Sequence, residues 1–397
     1  MLSLRDPIHG FINTDALEEA LVGSRPVQRL RSIHQLGLMS LVFPGAEHSR
    51  FSHVLGAMHL AGRVYDNLAA RGDGTLDPDP RSRERRLVRA AALLHDIGHA
   101  PFSHSAEELF EEAIDHEEMT SRLLRIDELS GLFDELGDGV TAGAIERILI
   151  EPKSQTERLL SQIITGELDV DKMDYLLRDS LYCGVTYGKF DLDRLLVTMA
   201  PFEDPETGNW GIGVEEGGVH VLESLVMARY YMFTQVYFNP SGKALELHLN
   251  EWLKEQGRRW PAEPERFLLE DDVSVTAAMR QSDSVHARAV VDRRYYPLAF
   301  QTREHLTSEQ KEQFGKVIAL VHDRFPPHQV LVSNSAKDPH RLSRSRVLVE
   351  RHDGALEPMQ QASQFIRHLT RIDRVRLYAA PEIRDDVAAA VAALWDD

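Results

Sequence analysis

The fold is decided by the stretch AALLHDIGHAPFSH, residues 91–104, in which three histidines and one aspartate follow a run of apolar side chains. The apolar spacing predicts a helix from about residue 85 that continues into His95 and Asp96 and is ended by the following glycine and proline. Imidazole and carboxylate groups at a buried helix end need partners, and a divalent cation satisfies several at once. A single histidine is more often an ordinary core or surface residue, but the adjacent His95 and Asp96 favour a metal site.

Two further segments complete a coordination sphere. The sequence RFSHVLG (50–56) has His53 at the start of an amphipathic helix, and LDVDKMDYLLRDS (168–180) has Asp171 inside a helix that we expect to run from about 159 to 181. Two imidazoles and two carboxylates suit Mn, Fe, Zn, Ni or Mg without selecting one of them. We therefore predict one divalent metal ion, with a second left open, bound by His53, His95, Asp96 and Asp171.

A phosphate-binding face is predicted beside this site. Asp171, Tyr175 and Asp179 are spaced four apart and so share one helix face, with Lys172 next to it. Arg50 precedes His53 by three residues, and its planar guanidinium matches phosphate oxygens. The alternatives are a solvated charged helix and a surface ion pair of Arg50 with a neighbouring glutamate.

Three more histidines supply groups that titrate near neutral pH. His99, His104 and His116 could donate protons or hydrogen bonds to developing charge, or could orient a metal ligand. Spacing alone does not decide which of them acts.

The fold class predicted from these patterns is mainly α, with a helical core and a small α+β C-terminal lobe. Helical periodicity dominates residues 1–260, and short β-prone runs rich in valine and leucine appear in 326–397. Residues 261–325 are expected to be a helical extension that packs on the core. We predict these three segments as the domains.

Composition limits the remaining choices. The 397 residues carry a formal net charge of −18, which disfavours nucleic-acid binding. The single cysteine, Cys183, excludes an internal disulfide, and the sequence contains no apolar run long enough to predict a membrane span. We expect a cytoplasmic protein that does not bind membranes.

Several motifs together resemble a known family, the HD-domain deoxynucleoside triphosphate triphosphohydrolases. The lineage is the one that contains the SAM-and-HD-domain enzyme, and the chain looks like a bacterial-type member without the SAM domain. The motifs are RDPIHGFI (5–12), VQRLRSIHQLG (27–37), VFPGAEHSRFSHVLG (42–56), ALLHDIGHAPFSH (92–104), DHEEM (115–119) and LDVDKMDYLLRD (168–179).

The resemblance implies an HD-domain core and metal-dependent hydrolysis of a dNTP to the deoxynucleoside and inorganic triphosphate. It also implies a homo-oligomer, dimer or tetramer, and a nucleotide activator in some members. By motif position, the resemblance assigns the four metal ligands named above, catalytic residues His99, His104, His116 and Glu117, and substrate-binding residues Gln35, Arg50, Lys172, Tyr175, Asp179 and Tyr237. We expect a metal-bound water to attack the α-phosphorus and His116 to protonate the leaving oxygen.

Two departures from the family pattern leave substrate breadth and activation open. Relatives often have histidine and lysine after the tyrosine that matches Tyr237, whereas this chain has Phe238 and the sequence Asn-Pro-Ser. An acidic residue that reads a guanine activator in some relatives is absent near residues 23–26. The alternatives are an HD-type 5′-nucleotidase, a phosphodiesterase, a hydrolase of modified nucleotides, or a nucleotide-sensing module with a vestigial site.

Overall fold

The computed structural model describes residues 2–71, 75–103, 109–338, 340 and 347–395, so His104 lies outside the described residues. The first helices, up to Glu255, form the core that contains the predicted site. They are α1 (Ala16–Gly23), α2 (Arg25–Arg29), α3 (Arg50–Arg71), α4 (Arg83–Leu94), α5 (His116–Leu123), α6 (Asp127–Leu136), α7 (Ala142–Leu149), α8 (Gln155–Thr165), α9 (Val170–Tyr182), α10 (Leu192–Thr198), α11 (Val219–Met232) and α12 (Pro240–Glu255).

The long helix α3 organises this core. It packs against α4, α8 and α9, and most of its residues are buried. Helix α4 starts at the Ser82 cap, whose hydroxyl accepts from the Arg85 amide at 3.3 Å, and is buried from Leu87 onward. It ends at Leu94, so His95 and Asp96 lie in the turn that follows. The polar side chains of His95 and Asp96 therefore lie at the buried end of an apolar helix, as the sequence predicts.

The single helix predicted over 159–181 is wrong, because two helices occupy this segment. Helix α8 ends at Thr165 and is capped by Gly166, and α9 begins after Asp169, whose side chain accepts from the Lys172 amide at 2.8 Å. A glycine at a C-terminus and an aspartate cap three residues later are ordinary stop and start signals. They break the helix although the apolar periodicity on each side is similar.

Strands also occur where an all-helical core was expected. The strands are β1 (Ser3–Asp6), β2 (Gly10–Asn13), β3 (Met199–Glu203), β4 (Trp210–Glu215), β5 (Leu298–Gln301), β6 (Val330–Lys337), β7 (Leu348–Glu350), β8 (Leu356–Pro358) and β9 (Ile372–Ala379). In the described residues β1 and β2 form a hairpin, β3-β4-β7-β8 a mixed sheet, and β5-β9-β6 an antiparallel sheet. The β4–β7 pair is parallel.

The remaining helices follow the core. They are α13 (Pro264–Phe267), α14 (Asp272–Arg280), α15 (Val285–Val291), α16 (Ser308–Arg324), α17 (Met359–Ala362), α18 (Gln364–His368) and α19 (Arg384–Ala392). One face of the β5-β9-β6 sheet packs its apolar side chains, such as Val375 and Leu377, against Phe314 of α16 and Val387 of α19. The mainly α fold class, with a helical core and a small sheet-containing C-terminal part, is confirmed.

The division into residues 1–260, 261–325 and 326–397 stays a prediction. The mixed sheet joins strands β3 and β4 to strands β7 and β8, which come from the first and third of these segments. In the part of the chain that the structure describes, no helix has both the length and the apolar character needed to cross a membrane.

Candidate active site

Three side chains converge on one point between α3, α4 and α9. His53 is the fourth residue of α3, His95 follows α4, and Asp171 is in the first turn of α9. Each offers a ligand atom, and these atoms lie within 4.8 Å of one another. His53 Nε2 is 3.0 Å and His95 Nε2 is 3.7 Å from the same oxygen, Oδ1 of Asp171. The group is a candidate metal centre.

The donor atoms fit a divalent cation. Nε2 of His53 and Nε2 of His95 are both buried and have no hydrogen-bond partner of acceptable geometry. Although burial disfavours a charged ring, the adjacent carboxylates of Asp171 and Asp174 raise the pKa of His53 to about 10. The centre thus stabilises positive charge, and a cation would supply that charge while accepting the ring lone pairs.

Asp96 lies at the edge of this group. Its Oδ1 is 3.3 Å from His95 Nε2, and its Oδ2 is 3.8 Å from His53 Nε2. The same Oδ2 accepts from Arg50 Nη1 at 2.5 Å. Burial opposes ionisation of Asp96, but the nearby His95 and Arg50 hold its pKa well below the usual range. All four predicted ligands are therefore brought together, with Asp96 shared between the metal site and Arg50.

A buried carboxylate that we did not predict orients His53. Asp174 Oδ2 accepts from His53 Nδ1 at 2.8 Å, and Asp174 also receives two hydrogen bonds from Arg178 and one from His9. Arg178 donates in turn to Asp6 at 2.9 Å. A carboxylate behind a ligating histidine fixes its tautomer and raises its basicity. The sequence carries a signal for this pair, because Asp174 and Arg178 follow Asp171 by three and seven residues on α9.

The two described catalytic histidines stack beside Asp96. The rings of His99 and His116 have centroids 4.3 Å apart and an interplanar angle of 12°. His99 Nε2 is 3.3 Å from Asp96 Oδ1, and burial together with the Arg50 charge lowers the pKa of His99 well below its usual value. His116 begins α5, and the next residue, Glu117, is exposed at the pocket.

The loop after the histidine-aspartate pair must approach α5 closely for this stacking. A Cβ at Gly98 would lie 2.1 Å from the His116 carbonyl oxygen and 2.5 Å from the Thr120 amide nitrogen. The Gly98 amide also donates to the Thr120 hydroxyl at 3.1 Å. Glycine at this position therefore lets the loop seat His99 against His116.

A pocket of about 740 Å³ opens onto the metal centre. His53 lies behind the pocket wall and does not line it. The predicted residues that line it are Gln35, Arg50, His95, Asp96, His99, His116, Glu117, Asp171, Lys172, Tyr175, Asp179 and Tyr237. The structure thus brings all the described candidates except His53 to the wall of one cavity.

Asp179 and Tyr237 form a rigid polar floor of the pocket. Asp179 Oδ1 is 2.7 Å from His48 Nε2, and Oδ2 accepts from the Tyr237 hydroxyl at 2.8 Å. The His48 ring stacks on Tyr182 with centroids 4.5 Å apart. Since both carboxylate oxygens have partners, Asp179 is held in one orientation, and His48 is a positioning residue that the sequence did not reveal.

The predicted phosphate cations already have protein partners. Arg50 Nε donates to the Ser103 hydroxyl at 2.8 Å in addition to its bond with Asp96. Lys172 Nζ donates to the Gly166 carbonyl at 2.7 Å and to Asp169. These contacts preorganise Arg50 but direct Lys172 toward the turn between α8 and α9.

Three cationic residues and an asparagine in the pocket were missed from the sequence. Arg229 of α11, Lys243 of α12, and Asn334 and Lys337 of β6 line it together with the predicted residues. No local pattern identifies them, because a strand of the C-terminal lobe reaches the pocket only through the tertiary fold.

Comparisons with known proteins agree with this architecture. Residues 50–179 match the HD domain, and residues 190–396 match the HD associated region. A crystal structure of a hypothetical protein from Aquifex aeolicus superimposes with a TM-score of 0.84 at 30% sequence identity, covering 98% of this chain and 99% of that one.

Curated relatives are similar over a shorter region. Uncharacterized protein YwfO of Bacillus subtilis is 40% identical over 251 residues, which cover 63% of this chain and 54% of the relative. The deoxynucleoside triphosphate triphosphohydrolase SAMHD1 homolog of Dictyostelium discoideum is 31% identical over 256 residues, or 61% of this chain and 47% of the relative. The chain thus spans about half the length of these relatives.

HD domains bind divalent metal ions, and the described His53, His95 and Asp171 group offers such a site. The matched segments cover the core that supplies these side chains and the C-terminal part that follows it. The chain belongs to the HD-domain family, in which an HD domain is followed by an HD associated region.

Proposed function

We propose that the protein is a metal-dependent phosphohydrolase that converts a dNTP to the deoxynucleoside and inorganic triphosphate. The observation that carries this proposal is that His95 and Asp171 of the candidate metal centre line the same pocket as the Asp179–Tyr237 floor. The name of the Dictyostelium discoideum relative supports the choice of substrate.

Different residues of the pocket would bind the phosphates and transfer the proton during hydrolysis. A divalent cation, when bound, supplies hydroxide near neutral pH and offsets charge on phosphoryl oxygens. Arg50, fixed by Asp96 and Ser103, orients the phosphates through its remaining donors. The stacked His99 and His116 lie beside the site and can deliver a proton to the departing 5′-oxygen, with His116 our choice as donor.

The floor of the pocket would select the sugar. The Tyr237 ring and the fixed Asp179 carboxylate would limit the space beside the sugar. A steric clash of a few kcal/mol with a 2′-hydroxyl would give a roughly hundredfold preference for deoxyribose. A dimeric or tetrameric assembly, a nucleotide activator and a cytoplasmic location are further proposals that rest on the family resemblance.

Product analysis tests the proposal. The purified protein is incubated with each dNTP and NTP in the presence of Mn²⁺ or another divalent metal, in ¹⁸O-labelled water, and the products are identified by mass. We expect intact triphosphate that carries the label, and slower hydrolysis of ATP than of dATP. Orthophosphate or pyrophosphate would instead support a nucleotidase or phosphodiesterase, label in the nucleoside would exclude attack at phosphorus, and no turnover would favour a sensing module.

A further inference from the structure

Strand β6 of the C-terminal lobe forms part of the active-site wall. Its residues Asn334, Ala336 and Lys337 line the same pocket as the predicted metal ligands. The strand is paired with β9 in continuous register from Val330 to Lys337, so its end has a defined position. The lobe therefore contributes side chains to the site as well as packing on the core.

A row of contacts leads from the metal centre to Lys337. Tyr175 lies one turn after Asp171 on α9, close enough to Arg229 of α11 for the two side chains to interact, and both residues line the pocket. The Arg229 guanidinium carbon lies 5.1 Å from the centroid of the Phe233 ring, and Lys337 Nζ lies 5.2 Å from the same centroid. The shared aromatic ring places both cations along one wall of the pocket.

Arg229 also fixes the end of β6. Its Nη1 donates to the carbonyl of Asp338 at 2.9 Å, and Asp338 follows Lys337 in the chain. Because Arg229 is buried, this hydrogen bond holds the end of β6 against α11 and fixes the backbone position of Lys337. The ammonium group is thus presented to the pocket from a defined backbone.

The chemistry of this wall suits an extended polyanion. A triphosphate whose reacting phosphorus lies at the metal centre must place its other phosphates farther along the pocket, and the Tyr175–Arg229–Phe233 row provides a cationic path for them. A compact ammonium group at the end of the row is a suitable phosphate donor.

We propose that Lys337 binds the terminal phosphate of the substrate, so that strand β6 of the C-terminal lobe takes part in substrate recognition. The inference rests on the proposed function for the position of the reacting phosphorus. It makes Lys337 a binding residue and predicts that substrates with fewer phosphates depend less on it.

Calorimetric titration with inorganic triphosphate tests Lys337 without requiring turnover. The full-length wild-type protein is compared with Lys337→Gln and Lys337→Arg. The control is Lys316→Gln, because the Lys316 side chain is exposed on α16 and its Nζ lies 3.6 Å from the Glu312 carboxylate. We expect Lys337→Gln to bind triphosphate about tenfold more weakly, the loss of one charge-assisted hydrogen bond. The arginine variant should recover most of the affinity, and the control should equal the wild type. Circular dichroism establishes that each variant is folded.

Other outcomes separate this inference from the proposed function. Equal triphosphate binding by Lys337→Gln, or no binding by the wild type, would overturn the role of Lys337. Weaker dNTP binding with unchanged triphosphate binding would also overturn it, because Lys337 would then contact the nucleoside. If the wild type hydrolyses no dNTP but the glutamine variant binds triphosphate more weakly, the proposed function fails and the phosphate site stands.

Discussion

The two ring nitrogens of His53 have different surroundings. Nδ1 is 2.8 Å from the buried Asp174 carboxylate, whereas Nε2 points toward Asp171 and His95. The ionised Asp174 requires a proton on Nδ1, which leaves the Nε2 lone pair for a cation. His95 is fixed in a similar way, because its Nδ1 is 2.8 Å from the Ala92 carbonyl oxygen.

Replacement of Asp171 tests the metal centre directly. Asp171→Ala removes the carboxylate that approaches both Nε2 atoms, so we expect the purified variant to lose its bound metal and its activity while keeping the helical circular dichroism signal. Elemental analysis measures the metal. Asp134→Ala, at an exposed position of α6, is the control and should retain metal. A metal-loaded, fully active Asp171→Ala variant would remove this residue from the site.

Replacement of Asp174 separates positioning from ligation. Asp174→Asn keeps the size of the side chain but turns an amide donor toward donors on His53, His9 and Arg178. We expect metal affinity to fall about 10- to 100-fold, and the free energy of unfolding to fall by about 3–5 kcal/mol because a buried ion pair is broken. Metal titration and urea unfolding measure the two effects. Unchanged metal affinity would show that Asp174 has only a structural role.

Helix α9 has two polar faces with different tasks. Asp171, Tyr175 and Asp179 line the pocket, while Asp174 and Arg178 are buried against α3. The buried face is crowded, since a Cβ at Gly56 of α3 would lie 1.9 Å from Asp174 Oδ1 and 2.5 Å from an Arg178 nitrogen. The close approach of the two helices therefore depends on a residue without a side chain.

Two glycine substitutions in helices test this contact. Gly56→Ala should destabilise the protein by about 1–3 kcal/mol through overpacking, although alanine is the better helix former. Gly315→Ala is the matched control, since that glycine is exposed in α16 with no atom within 4 Å of the added Cβ. The control should gain about 0.5–1 kcal/mol. Urea unfolding measures both, and a stabilised Gly56→Ala variant would show that α3 and α9 can separate without cost.

At the scale of the whole molecule, a buried histidine pair lies between α12, α15 and the segment that leads into β5. His248 Nε2 accepts from the Tyr296 amide at 3.0 Å, and His248 Nδ1 lies 2.8 Å from His286 Nδ1. His248 must therefore donate through Nδ1, and His286 must accept. Protonation of either ring removes one of these bonds, so the junction requires both rings to be neutral.

This junction predicts a loss of stability in acid. Burial, followed by the effect of His286, lowers the pKa of His248 to about 3. The unfolded chain takes up this proton near the ordinary value of about 6.5, so the free energy of unfolding falls as the pH drops from about 6.5 toward the folded value. Urea unfolding measures the free energy of unfolding at about pH 7 and about pH 5. We expect the decrease between these pH values to be roughly 1 kcal/mol smaller in His248→Gln than in the wild type. His220→Gln, at a side chain that is 93% exposed, is the control, and identical losses in all three proteins would contradict the prediction.

The sequence by itself determined the features that depend on local order. The apolar run before His95 predicts a buried helix with polar groups at its end, and the spacing of four between Asp171, Tyr175 and Asp179 predicts their shared face. The mainly α class also follows from periodicity and is confirmed. Periodicity did not locate the helix end at Gly166, because the apolar spacing continues across a short turn. The assignment of catalytic and substrate-binding residues stays a prediction.

Only the tertiary structure decided which distant segments meet. His9 and Asp174 are 165 positions apart in the sequence, and β6 reaches the pocket from the C-terminal lobe. Such contacts arise from the packing of whole elements, here α3 against α9 and a strand against α11 and α12, so no local pattern encodes them. The partners that orient His53, hold Asp179 and bring Lys337 to the pocket therefore became visible only in the folded chain.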